Sequence, residues 1–224
     1  MSPAGPLAAA YGRHRYAVLF YTLLVTLGAA PLLAALHFST DLLQILLVWS
    51  LLAALLGVPG QRWRGLLMVV AAIALGLRAA PTAAVGSGLA AGALAAACAI
   101  TVLAGVSALR FAMRTASVDA EHLYAALSVY LLAGLLFGVV HWSMEQTWPG
   151  SLADAGARDP GAALPLSAAM YYSFVTLATL GYGDIVPRSE MARGVAVLEA
   201  IGGQLYVAVL VAKLVGARLS PPPR

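Results

Sequence analysis

Residues 166–184 read Leu-Ser-Ala-Ala-Met-Tyr-Tyr-Ser-Phe-Val-Thr-Leu-Ala-Thr-Leu-Gly-Tyr-Gly-Asp, and this stretch decides how the chain around it folds. Residues 166–178 form an apolar segment of 13 residues. At 1.5 Å rise per residue a helix of that length falls short of the roughly 20 residues needed to cross hydrocarbon. Lying between two longer apolar runs and followed by Gly181-Tyr182-Gly183, it predicts a re-entrant helix. Such a helix exists only where its irregular continuation is buried in protein or lines water.

Working outward, the chain of 224 residues is 62% hydrophobic and 10% charged, a composition that points to lipid as the solvent. Six apolar segments stand out at 16–36, 42–58, 66–80, 83–109, 123–142 and 191–215. The second and third are short, but six spans fit the charges better than five. With a cytoplasmic N-terminus, nine of the 13 bases fall inside and four (Arg78, Arg158, Arg188, Arg193) outside. That bias predicts both termini in the cytoplasm. The bases sit singly at the ends of apolar runs, so they read as topology markers and not as a nucleic-acid surface. The first run is longer than the apolar core of a signal peptide and is expected to be a retained span. Cys98, the only cysteine, rules out an intrachain disulfide and reads as a small apolar packing residue.

The expected organisation is a cytoplasmic tail over 1–15 and a four-span peripheral region over 16–109. An interfacial linker over 110–122 follows, with Ser117 as a candidate helix cap, then a pore region over 123–217 and a tail over 218–224. Residues 143–165, rich in Gly, Pro and Asp, are expected to be an exposed outer loop. With so short a tail, no cytoplasmic ligand-binding domain is expected.

Thr176-Leu177-Ala178-Thr179-Leu180-Gly181-Tyr182-Gly183-Asp184 resembles the signature of the potassium-channel family, and the resemblance extends over roughly 121–215. A bare Gly-Tyr-Gly occurs in ordinary turns; nine residues after a short apolar helix between two spans are far more specific. The resemblance implies an all-α integral membrane fold with six transmembrane helices, a pore helix and a selectivity filter per subunit. Rings of carbonyls from Thr179, Leu180, Gly181 and Tyr182, with the Thr179 hydroxyl, would replace the water of K+ ions. Gly181 and Gly183 supply the backbone freedom this requires. One chain gives a quarter of each ring, so a homotetramer in a lipid bilayer is implied. No organic cofactor is implied, only K+ in the filter. Leu180 stands where the family commonly has Val.

Around the filter, the resemblance assigns support to Thr176, Tyr171, Tyr172 and Asp184, with Tyr182 packing against pore-helix aromatics. Asp184 can accept a hydrogen bond from an aromatic hydroxyl, and Val175 replaces a buried Glu of some relatives. The pore helix points its partially negative C-terminal end at the cavity. Three candidates for gating lie on the sixth span. Glu199 is costly at membrane depth, by about 3 kcal/mol, and serves either as a scaffold hydrogen-bonded to the pore helix or as a proton sensor. Gly202 and Gly203 form either a hinge or a close-packing site, as do Gly134 and Gly138 on the fifth span. Gln204 is a candidate for facing the cavity.

The fourth span carries no Arg or Lys before Arg110 and Arg114, so little intrinsic voltage dependence is expected. His14, His37, His122 and His141 read as interfacial anchors, and Trp142 and Trp148 as an outer aromatic belt. The expected function is passive K+ conduction without catalysis, in a bacterial inner membrane on the evidence of the Ala- and Arg-rich composition. A potassium-transporter subunit is the alternative, argued against by the single filter repeat. A non-conducting sensor or assembly protein is another, and an enzyme is disfavoured by the scarcity of convergent polar groups.

Overall fold

The computed structural model describes residues 6–35, 87–114, 119–156 and 164–219. The expected second and third spans and Ser117 lie outside the described residues. Helices account for most of the described chain: α1 (Pro6–Ala35), α2 (Ser87–Arg114), α3 (Ala120–Thr147), α4 (Leu166–Leu177) and α5 (Glu190–Leu219). Two three-residue strands, β1 (Leu152–Asp154) and β2 (Ile185–Pro187), complete the described elements. Three helical stretches among the described residues are long and apolar enough to cross a membrane: Ala95–Arg114, Ala120–Thr147 and Glu190–Ala217. The chain is a mostly helical integral membrane protein. It divides into two compact units, 1–132 and 133–224.

In the first unit, α1 begins earlier than the expected span, at Pro6, whose missing N–H costs nothing in a first helical turn. Its backbone leaves helical geometry at His14 (φ −120°, ψ 21°), within the basic cluster that precedes the apolar run. Ala104, Ala108 and Ala112 recur every four residues on one face of α2 and are buried, as are Leu19, Leu23 and Ala125. Small side chains in this register allow helices to approach closely. At one end Tyr16 stacks on Phe111 at 4.6 Å and Phe111 on His122 at 4.4 Å, with the Arg15 guanidinium 4.9 Å from the Tyr16 ring. His122, expected as an interfacial anchor, is instead a ring in this stack.

The linker expected over 110–122 is largely helix, since α2 runs through Arg114 and α3 starts at Ala120. Asp119 caps α3: its Oδ1 accepts the His122 N–H at 3.0 Å and lies 2.6 Å from His122 Nδ1. The backbone hydrogen bond from His122, with its side chain in second place, holds the Asp119 carboxyl below the ordinary range.

In the second unit, α4 packs into a groove made by two glycines of α3. A Cβ on Gly134 would meet the Phe174 ring, and one on Gly138 would lie 2.9 Å from the Met170 Cα. Residues 143–156 depart from the exposed loop expected for them. α3 continues to Thr147, and Met144, Glu145, Ser151 and Leu152 are buried. Glu145 organises the turn, accepting the N–H of Gly150 at 2.8 Å and of Leu152 at 2.9 Å. β1 then pairs antiparallel with β2, Leu152 opposite Pro187 and Asp154 opposite Ile185. Strands this short carry no readable alternation, and buried backbone must be paired somewhere. Met144, Leu152, Leu164, Ala169, Tyr172, Ile185 and Ala192 form the core beneath this ladder, with Trp142 packed against it rather than standing in a belt. Trp148 is exposed.

Candidate ion-conducting site

α4 ends at Leu177, with Ala178 still in right-handed helical geometry (φ −82°, ψ 0°). The chain then turns through three hydrogen bonds: Ala178 N–H to the Phe174 carbonyl at 3.0 Å, Thr179 N–H to Thr176 at 2.9 Å, and Leu180 N–H to Val175 at 2.8 Å. Beyond this point φ is positive at every second residue: Thr179 (56°), Gly181 (59°) and Gly183 (79°). Glycine takes this region freely, whereas a β-branched residue there is strained by about 1–3 kcal/mol. The glycine pattern pointed to Gly181 and Gly183, but nothing in the residue type pointed to Thr179. Its hydroxyl donates to the Ala178 carbonyl at 2.7 Å and accepts from Gln204 Nε2 at 3.2 Å, contacts that help to hold the strained turn.

Past this segment the chain is anchored by Asp184. Its Oδ2 accepts the Tyr171 hydroxyl at 2.7 Å and its carbonyl accepts the Ala155 N–H at 2.8 Å. The Tyr171 bond, first among the causes, holds the Asp184 carboxyl below the ordinary carboxylate range. Tyr172 is buried and meets His141 edge-on, centroids 4.9 Å apart. Tyr182 is 67% exposed and contacts neither Tyr171 nor Tyr172 as a ring pair among the described residues. Leu180 is likewise 57% exposed.

Behind α4 lies a polar cluster that the sequence reading assembled only in part. Glu199 of α5 is fully buried and hydrogen-bonds Ser173 of α4 through Oε1, and His141 Nε2 of α3 at 2.8 Å through Oε2. Ser173 also reaches the Gly134 carbonyl at 2.7 Å. Glu199 thus contacts α4, and His141 is no interfacial anchor; it is completely buried. A hydroxyl has one hydrogen for these two oxygens, and a carbonyl cannot donate. Ser173 therefore divides its one hydrogen between the Gly134 carbonyl and the Glu199 carboxyl, while His141 donates to Glu199 from Nε2. His141 Nδ1, buried and without a hydrogen-bond partner among the described residues, is then a bare lone pair and not a stranded N–H. The signal for His141 was present: it lies three residues after Gly138 and seven after Gly134, on the helix face against which α4 packs.

Gly203 packs tightly, because a Cβ there would collide with the Leu177 carbonyl and approach Leu177 Cδ1 at 2.9 Å. Gly202 has no such neighbour, and α5 runs unbroken through both. No cluster of three His, Cys, Asp or Glu side chains suited to a metal ion occurs among the described residues.

Residues 125–217 match the family model described as an ion channel. The similarity is to channels, not to enzymes. Over 98 residues the chain is 32% identical to the inward rectifier potassium channel Kirbac3.1 of Paramagnetospirillum magnetotacticum. The match covers 42% of this chain and 28% of that relative, so the chain spans under a third of that relative's length. No solved structure matches the chain significantly.

Proposed function

We propose that this chain is one subunit of a potassium-selective channel that conducts K+ passively through a pore shared by four copies. The observation that carries the reading is the alternation of positive φ at Thr179, Gly181 and Gly183 after a 12-residue helix. Reversing φ at every second residue turns successive peptide planes the same way, so consecutive carbonyls can line one side of the segment. A ladder of carbonyl oxygens from several chains is what replaces the hydration shell of K+. The exposure of Leu180 and Tyr182 supports assembly, since a strained segment open to solvent on its side chains needs partner surfaces to hold it. α5 offers such a surface, with Val197, Leu198, Ile201 and Leu205 all more than half exposed. A homotetramer satisfies both needs with closed symmetry.

In this reading the chain has six spans, with both termini on the cytoplasmic side of a bacterial inner membrane. Spans one to four respond little to voltage. The test is ion flux from potassium- and sodium-loaded proteoliposomes, beside a Gly181→Ala protein. The expected result is potassium flux far above sodium flux, abolished by the substitution, because Cβ at positive φ costs about 1–2 kcal/mol in each subunit. Equal flux of the two ions sinks the reading.

A further inference from the structure

We infer that Gln204 is a selectivity-determining residue, fixing the Thr179 hydroxyl as a cation ligand at the inner end of the conducting segment. This inference rests on the channel reading above and goes beyond it by assigning a positioning role to a side chain on α5. Three observations carry it. Gly203 brings the α5 backbone against the Leu177 carbonyl at the end of α4, a distance any side chain would prevent. The next residue, Gln204, therefore reaches past the end of α4 with its amide 3.2 Å from Thr179 Oγ1. The Thr179 hydroxyl hydrogen is already committed to the Ala178 carbonyl at 2.7 Å.

The chemistry follows from counting. A threonine hydroxyl has one hydrogen and two lone pairs. With its hydrogen on Ala178, Oγ1 can only accept, so the amide group facing it must be the NH2 and not the carbonyl of Gln204. One lone pair takes that N–H, and the second stays free in a fixed direction, available to a monovalent cation. Without the amide, the hydroxyl rotates between alternatives, and the oxygen ring that four copies would make loses its definition. A loosely defined ring discriminates less between ions of different radius, so the ratio of permeabilities responds more than the size of the flux.

The experiment compares potassium and sodium flux in proteoliposomes for wild type, Gln204→Leu and Gln204→Glu, each shown by gel filtration to assemble as wild type does. Leu removes polarity and donor together; an ionised Glu keeps polarity but cannot donate. The loss of one neutral hydrogen bond corresponds to about a three- to tenfold fall in the potassium-to-sodium ratio, expected for both variants. Gln204→Met, of similar length and without a donor, replaces Gln204→Leu if the latter does not assemble. A selective wild type with an equally selective Gln204→Leu overturns this assignment alone. A Gln204→Glu protein as selective as wild type beside an impaired Gln204→Leu also overturns it, because polarity and not donation would then be the cause. Equal potassium and sodium flux in wild type overturns the channel reading and this assignment together.

Discussion

The two units of this chain satisfy their polar side chains in opposite ways. In the first, most hydroxyls within the apolar helices bond a carbonyl one turn back in the same helix: Thr22 to Val18, Thr26 to Thr22, Thr101 to Ala97, Ser107 to Leu103. In the second, Thr147 also bonds back to Ser143, but the bonds that frame the candidate site run between elements: Ser173 to Gly134, Glu199 to His141, Tyr171 to Asp184, Gln204 to Thr179. A back-bonded hydroxyl leaves its helix free to slide or rotate against neighbours. A bridging bond fixes register to a few tenths of an ångström. The conduction proposed above, through a ring of oxygens, would need that precision.

The sharpest way to break this contrast is Glu199→Ala. It strands Ser173 and His141 in a dry site, and a buried network with one member removed costs about 3 kcal/mol or more. Lost thermal stability in detergent and lost flux are expected. Glu199→Gln, which supplies both a donor and an acceptor in the same shape, should keep most of the stability. An Ala variant as stable as the Gln variant would show that the cluster bridges nothing.

Next comes Gly203→Ala. The collision with the Leu177 carbonyl should cost about 1–3 kcal/mol, whereas Gly202→Ala gains helix propensity of about 1 kcal/mol. Melting temperatures that move in opposite directions would establish packing as the role of Gly203; a matched rise in both would return the hinge reading. A smaller effect is expected at Asp184, and it carries a pH signature. The Asp184 carboxyl is depressed in the folded protein, so its stabilising contribution is complete above the ordinary carboxylate range and is lost as pH falls through the lower folded value. Tyr171→Phe removes the main cause. The difference in melting temperature between wild type and Tyr171→Phe should be largest at neutral pH and shrink below about pH 4. A difference independent of pH would mean that the hydroxyl matters only for packing. Smallest of all is Thr101→Val in the first unit, expected to change stability by less than about 0.5 kcal/mol in the same melting assay.

The sequence was most legible where chemistry restricts residue type. The half-length helix, the glycines at 181 and 183 and the long apolar runs each follow from a period, a length or a missing Cβ. Asp184 as an acceptor for an aromatic hydroxyl came with the family resemblance, and the structure supplies Tyr171 as its donor. What stayed hidden depends on contacts between elements distant in sequence. His141 and Glu199 are 58 residues apart, and a histidine near the end of an apolar run looks the same whether it faces headgroups or a buried carboxyl. The β1–β2 ladder is too short for alternation to show. Thr179 gave no sign of its positive φ, because a β-branched residue argues against that geometry until its hydrogen bonds are known.

The glycine contacts also set how this sequence can drift. At position 134 the obstacle is the Phe174 ring, so a side chain gained on α3 can be matched by volume lost on α4, and the two positions are free to change as a pair. At 138 the nearest atom is the Met170 Cα, and at 203 it is the Leu177 carbonyl oxygen. No choice of side chain at 170 or 177 moves a backbone atom. Among related chains, position 134 should therefore covary with 174, while 138 and 203 stay glycine for as long as the helices keep this separation.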